Sequence, residues 1–265
     1  MSLVMLPGGW VHLRAITGQD ESVISGVDLP NALLLIDGLL LVQPGALLAP
    51  GAAATLTSAA RDRVLAAIFT MTYGALVKAT THCSACGHPF DMSFDLTDLA
   101  NSLPLADTPP DGVYATADGI SFRLPTGADE LAVIGLPPER ARFELLNRCI
   151  EHGSVESPEA AGALEAAMEA VAPLLSLELT AYCPECGAAR AIAFDMQTHL
   201  LTRLVSEQAR LAGEVHTLAL TYRWGLNEIL ALSRVQRHRY LALIELEANR
   251  AATRGTLVGG RRRTG

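Results

Sequence analysis

The chain has 265 residues, half of them hydrophobic and only 18% charged, which excludes bulk disorder, collagen-like repeats and a long coiled coil. Its formal charge is −8, and the first 250 residues alone carry −12 because four arginines fall in the last fifteen positions, which argues against a nucleic-acid-binding body. No basic n-region precedes the apolar start, and the most apolar stretch, Ala32–Val42, is cut by Asp37 and Gly38 well short of the roughly 20 residues that cross a bilayer. A cytoplasmic protein without membrane contact is expected.

Residues 9–15 are predicted as a short strand running into Arg14-Ala-Ile-Thr17-Gly18-Gln-Asp20-Glu21. Residues 119–124 run likewise into Arg123-Leu-Pro-Thr126-Gly127-Ala-Asp129-Glu130. The shared pattern R-x-x-T-G-x-D-E places Thr or Asp to cap the next helix and Gly to give the turn its freedom. Between and after these motifs, Arg61–Tyr73 and Ala141–Ile150 show helical apolar stripes, the first through Val64, Leu65, Ile68 and Phe69. Ser157-Pro158-Glu159 opens a further helix that Pro173 stops.

Four of the five cysteines form two pairs, Cys83-Ser-Ala-Cys86-Gly87 and Cys183-Pro-Glu-Cys186-Gly187, and the eighth residue after each second cysteine opens Phe94-Asp95 or Phe194-Asp195. Strands are predicted around each pair, at 75–81 with 90–94 and at 174–182 with 190–194. The order of features is the same twice, so a diverged internal duplication is expected, joined by a linker holding Pro104, Pro109 and Pro110.

Cys-x-x-Cys-Gly brings two thiolates toward one metal through a tight turn, and two such knuckles supply the four soft ligands zinc prefers. One structural Zn2+ held by Cys83, Cys86, Cys183 and Cys186 is therefore expected, with no open position for a reactive water. Two alternatives stand beside it. His82 or His88 flank the first pair as substitute ligands, and a redox dithiol requires a pair at a helix N-terminus. Cys149 reads as a buried small hydrophobe, and Asp95 and Asp195 read as helix caps rather than a catalytic carboxylate pair.

Gln197–Leu220 is predicted as one long helix, followed by Tyr222 and Trp224, a short segment through Ile229 and Leu230, and a last helix opened by Ser233 with Gln236 at the capping-box position. Arg234, Arg237 and Arg239 give that helix a basic rim near Tyr240. His216 lies outside any His-Glu-x-x-His pattern and reads as a helix-face residue, and no phosphate loop, nucleophile elbow or dinucleotide fingerprint occurs. No enzyme activity is expected.

The run Glu214-Val-His216-Thr-Leu218-Ala-Leu-Thr-Tyr222-Arg-Trp224, then Ile229-Leu230-Ala-Leu232 and Arg237-His-Arg239-Tyr240-Leu241, resembles the C-terminal signature of the bacteriophage T4-like baseplate hub assembly family. The resemblance is strongest over 174–245 and weakens in the first half, and Gly225 and Asn227 stand where the family pattern has Ser and an acid. It implies a non-catalytic assembly or minor structural protein of the baseplate hub of a contractile tail or related injection system, with hub or spike proteins as partners. Tyr222, Trp224, Leu226, Arg237 and Tyr240 are the expected partner-binding residues. A zinc-stabilised adaptor in an unrelated bacterial complex is the alternative.

The expected architecture is thus α+β. A first repeat half occupies 1–105 and a second 106–200, joined at the four-cysteine site, with a C-terminal helical region over 201–250 and a disordered basic tail over 251–265.

Overall fold

The computed structural model describes residues 2–259. Chain contacts divide the protein into two units, one made of the segment up to Arg14 together with Gly26–Arg203, the other of Ala15–Ser25 together with the chain from Leu204 onward. Residues 15–25, expected in the first half, therefore belong with the C-terminal helices.

The first unit opens with strands β1 (Ser2–Leu6) and β2 (Gly9–Leu13), an antiparallel hairpin that turns at Gly8, where φ is +84°. Helix α1 (Gly18–Val23) belongs to the second unit, and α2 (Leu29–Leu39) returns to the first. Asp37, which made the apolar run look broken, sits inside α2 and accepts the amides of Gly51 and Ala53 at 2.9 Å, pinning the loop that follows. A 3-10 turn at Ala53–Thr55 leads into α3 (Ser58–Tyr73), capped by Thr57. Val64, Leu65, Ile68 and Phe69 of α3 are fully buried with Leu33, Ile36, Val11 and Leu13 in the core of the unit.

Strands β3 (Leu76–His82) and β4 (Pro89–Asp95) form the first knuckle hairpin and run into α4 (Leu96–Ser102). Short strands β5 (Tyr114–Ala115) and β6 (Ser121–Phe122) precede α5 (Gly127–Val133) and α6 (Pro138–Cys149), and β7 (Ile150–His152) completes a three-stranded sheet in the order β5-β6-β7. Helix α7 (Pro158–Val171) is capped by Ser157 as its sequence predicts. Phe122, Leu146, Cys149, Leu164 and Met168 make a second core cluster, so Cys149 is the buried hydrophobe expected of it. Strands β8 (Ser176–Tyr182) and β9 (Ala189–Asp195) form the second knuckle hairpin and lead into α8 (Met196–Ser206).

Asp95 accepts the amides of Thr97 and Asp98, and Asp195 accepts that of Thr198, so both acids cap the helix behind their hairpin. The hairpins also close alike at their bases, Leu96 N–H donating to Ala75 C=O and Met196 N–H to Leu175 C=O, each at 2.9 Å.

Asp62 on α3 is 5% exposed and accepts the amide of Leu175 at 2.9 Å, tying α3 to the base of the second hairpin. Burial pushes its carboxyl up to about 6, outweighing the Leu175 hydrogen bond and the neighbouring arginines. A raised acid pKa means that folding carries no penalty below the ordinary value near 4, loses stability as pH rises from there to about 6, and bears the full cost above it. Asp62→Asn, which keeps an oxygen acceptor for Leu175, is expected to stabilise the protein by about 1–3 kcal/mol at pH 7.5 and by little at pH 4. Urea denaturation at the two pH values checks this, and an equal effect at both would contradict it.

The second unit holds α1, α9 (Gln208–Tyr222), α10 (Leu226–Ala231) and α11 (Arg234–Gly259) around Ile24, Leu211, Leu218 and Ile229. The single helix expected over 197–220 is instead two, interrupted at Glu207 (φ −90°, ψ 0°), whose carboxylate accepts from Arg234 at 2.6 Å and from Arg210 at 3.1 Å. Helix α11 begins with the Ser233–Gln236 capping box and continues into the segment expected to be a disordered basic tail, while residues 260–265 lie outside the described residues. No helix among the described residues is long and apolar enough to cross a membrane.

The two R-x-x-T-G-x-D-E motifs build matching clasps, one inside each unit. In the first unit Thr126 and Asp129 form a reciprocal capping box, Gly127 N–H donates to Leu56 C=O at 3.0 Å, Ser58 N–H donates to Pro125 C=O at 3.1 Å, and Arg61 pairs with Glu130 at 2.7 Å. In the second, Thr17 and Asp20 form the box, Gly18 N–H donates to Leu232 C=O at 3.3 Å, Arg234 N–H donates to Ile16 C=O at 3.2 Å, and Arg237 pairs with Glu21 at 2.8 Å. Neither glycine has a positive φ. Each is required by close approach, since a Cβ on Gly127 would stand 3.2 Å from Ala54 Cα and one on Gly18 would stand 3.2 Å from Leu230 Cα. Arg123 reinforces the first clasp with two bonds to Asp129, at 2.6 and 2.9 Å, and holds that carboxyl well below the ordinary range.

Candidate metal centre and docking surface

Each Cys-x-x-Cys-Gly knuckle is the turn of a hairpin. Cys83 N–H donates to His88 C=O and Gly87 N–H to Cys83 C=O, at 2.9 and 2.8 Å, and the second knuckle repeats the pattern with Cys183, Ala188 and Gly187 at 3.0 and 2.9 Å. Gly87 and Gly187 have φ of +73° and +70°, a conformation that favours glycine and that explains the residue after each second cysteine.

The two knuckles meet. Cys83 Sγ lies 3.6 Å from Cys186 Sγ, Cys86 Sγ lies 3.7 Å from Cys183 Sγ, and all four sulfur atoms fall within 4.8 Å of one another. These distances are far beyond a disulfide bond of about 2.05 Å. They match a tetrahedron around one ion, because metal–sulfur bonds of about 2.3 Å place neighbouring sulfurs roughly 3.8 Å apart. Cys83 and Cys183 are buried beside Phe90, Ala181 and Ala188, whereas Cys86 and Cys186 face outward. At the hairpin bases Phe94 and Phe194 meet edge-to-face at 5.1 Å, so the two arms touch at tip and base.

The thiols bias one another. Amide donors of Cys86 and Ala85 bring Cys83 down to about 6, while Cys86, despite the His88 amide, is pushed up by burial and by the thiols of Cys186, Cys83 and Cys183. One thiolate forms readily and then opposes ionisation of its neighbours, an arrangement that a divalent cation at the centre resolves. His88 Nε2 lies 3.7 Å from Glu185 Oε1, and the metal-competent group among the described residues consists of the four cysteines alone, so neither His82 nor His88 completes a separate site. The knuckles cap β-hairpins rather than helix N-termini, which removes the structural basis of the redox alternative.

The expected docking residues fall into two groups. Tyr222, Trp224 and Tyr240 form a half-buried ring cluster with centroid separations of 4.8, 4.9 and 5.7 Å, and Leu226 beside them is 57% exposed. Arg237 is not on that surface. It is 0% exposed, with Nη2 donating to Glu21, Nε to Glu214 at 2.9 Å and Nη1 to Leu232 C=O at 3.0 Å. A guanidinium with three such acceptors loses little by leaving water, which is why a residue expected at a basic rim lies in the core. His216 is exposed on α9, as a helix-face residue would be.

The clasp residues Arg61, Glu130, Glu21 and Glu214 were not among the sequence candidates. A signal for them exists: Leu56-Thr57-Ser-Ala-Ala-Arg61-Asp-Arg63-Val-Leu65-Ala66-Ala-Ile68 and Leu232-Ser233-Arg-Val-Gln-Arg237-His-Arg239-Tyr-Leu241-Ala242-Leu-Ile244 share the pattern L-[ST]-x-x-x-R-x-R-x-L-A-x-I.

The fold and this site together define a mixed α+β protein with a four-cysteine cluster able to bind a metal and with C-terminal helices. Comparison with protein-family models, with curated proteins and with solved structures finds no match for the chain.

Proposed function

We propose that the protein is a non-catalytic docking protein, an adaptor whose first unit is stiffened by one structural zinc. The observation that carries this reading is the convergence of four sulfur atoms, from two hairpins a hundred residues apart in sequence, within 4.8 Å of one another. With all four tetrahedral positions supplied by protein, the ion has no site for a reacting water and its binding energy goes into holding the arms together. The matched hairpins, caps and clasps support reading the chain as a diverged internal duplication.

The narrower reading is an assembly factor or minor component of the baseplate hub of a contractile tail or injection system, with hub or spike proteins as partners. It rests on the resemblance over 174–245, and it is favoured by one observation: Glu214, Leu218, Ile229 and Arg237 of that signature build the buried interior of the second unit, while Tyr222, Trp224 and Tyr240 form its ring cluster. The surface offered to a partner would then be Trp224, Tyr240 and the exposed Leu226.

Trp224→Ala combined with Leu226→Asp is expected to weaken association with a co-expressed hub or spike protein by about tenfold or more while leaving the zinc content unchanged. Pull-down with quantified recovery checks this. Undiminished recovery would remove the ring cluster from the docking surface, and failure of every hub or spike protein to associate would remove the narrower reading.

A further inference from the structure

Helices α3 and α11 begin alike. Each is capped by a hydroxyl, Thr57 or Ser233, and each gives its next amide to the clasp, Ser58 N–H to Pro125 C=O and Arg234 N–H to Ile16 C=O. Each then sets an arginine, Arg61 or Arg237, against a glutamate of that clasp. Position for position, Val235, Arg239, Ala242, Leu243 and Leu246 of α11 stand where α3 has Ala59, Arg63, Ala66, Ala67 and Thr70. Residues 235, 239, 242 and 246 are spaced by four, three and four, so they form one stripe along the helix.

The two stripes have different surroundings. On α3, Ala59 and Ala66 are buried, and Arg63, Ala66, Ala67 and Thr70 share a seam with Leu96, Thr97 and Ala100 of α4, which packs against α3. Arg63 Nη2 donates to the C=O of Leu103, the residue that ends α4, and to Pro173 C=O at 3.2 Å. On α11 the same stripe is open, with Val235 75%, Leu243 43% and Leu246 45% exposed. Ala242 and Arg239 are exposed as well, and Arg239 makes no hydrogen bond or ion pair among the described residues. Arg234 and Arg237 are buried on the opposite face of the helix, so the second unit's own packing does not use the stripe. Glu245 and Glu247 fall roughly a quarter turn to either side of it, and Arg250 follows it one turn on.

We infer that this stripe is a second docking face, occupied by a helix of a partner protein that lies on α11 as α4 lies on α3. Small and aliphatic side chains of that helix meet Val235, Ala242 and Leu246, and its last carbonyls accept from Arg239. The negative end of a helix dipole is the charge complement of an arginine without an acceptor, and the apolar spacing is the one on which helices dock. The inference goes beyond the ring cluster and rests on the docking-protein reading. The variants below leave Trp224, Leu226 and the four cysteines untouched, so their failure is distinguishable from failure of either earlier site.

The probe is a helix-stapled peptide of residues 95–104, which carries α4 through its terminal Leu103. It is titrated into isotope-labelled, zinc-loaded full chain to about 1 mM, a concentration that registers millimolar affinity. Amide chemical-shift changes are expected over residues 235–246. Leu246→Asp is expected to abolish them, and Arg239→Met to weaken binding about fivefold or more. Both side chains are exposed, so neither change disturbs the packing of the unit. Absence of shifts at the highest concentration would overturn the inference, and so would shifts confined to α3, which would mean exchange with the native α4. Equal affinity of the Arg239→Met chain would overturn it too. A full chain that sediments as a dimer and becomes monomeric with Leu246→Asp would overturn it in favour of a second copy as occupant.

Discussion

Replacing either Cys83 or Cys183 with Ala is expected to release the zinc and lower stability by about 3–5 kcal/mol or more, with the two variants alike. Each hairpin has seven residues per strand, alternate side chains exposed and, among the described residues, no third strand beside it, and an isolated two-stranded hairpin is marginal in water. Among the described residues the apolar cluster at the tips is Phe90 and the two buried cysteines with Ala181 and Ala188 at its edge, and even with the Phe94–Phe194 contact at the bases this is too little to hold the tips together without the ion. Since each knuckle supplies half of the tetrahedron, losing one ligand from either side should have the same consequence. The core of α2, α3 and the β1–β2 hairpin lies outside the cluster, so the first loss should be local. Amide exchange in β3, β4, β8 and β9 should accelerate in the variants, and in the wild type with a chelator, before exchange in α3 does. A Cys83→Ala protein with full zinc and wild-type protection would contradict this.

Arg237→Met is expected to destabilise the second unit by about 3–5 kcal/mol, because it removes one charge and strands two. Glu21 and Glu214 are 5% and 7% exposed, and both direct their carboxylates at the Arg237 guanidinium. Arg234 reaches Glu21 only at 3.7 Å, and Glu214 keeps His238 at 3.0 Å and Arg210 at 3.7 Å, so none of these replaces the lost bonds in full. The cost should come from the uncompensated acids rather than from lost packing, since Met fills most of the volume. Adding Glu21→Leu and Glu214→Leu to Arg237→Met should therefore recover most of the loss. Urea denaturation followed by Trp224 fluorescence measures both. A triple variant no more stable than Arg237→Met would show that the network does more than neutralise its own charges.

What was legible in the sequence was local. Thr17–Asp20, Thr126–Asp129, Ser157 and Ser233–Gln236 act across three residues, and each capped its helix as read. The knuckle hairpins were equally local, a turn fixed by Cys-x-x-Cys-Gly between two alternating segments. The meeting of the knuckles followed from coordination chemistry, which asks for four thiolates and finds two on each arm.

What was missed depends on partners far along the chain. Residues 15–25 look like part of the first half because nothing nearby announces that Glu21 is matched to Arg237 more than two hundred residues on. The sequence alone points Arg237 to the surface, because a charged residue is exposed unless paired and both of its carboxylates are remote along the chain. Gly18 and Gly127 look like turn residues in the sequence, though the space they keep open is for the backbone of Leu230 and Ala54. The break at Glu207 is invisible to periodicity, since Leu204 and Leu211 stay in helical phase across it and both are buried.

Zinc-edge X-ray absorption on the purified full chain, combined with metal analysis, addresses the shared site most directly. One zinc per chain surrounded by four sulfur atoms at about 2.3 Å is the expected result. Two zincs per chain, or a nitrogen or oxygen ligand in the first coordination sphere, would contradict a single ion clamping both hairpins.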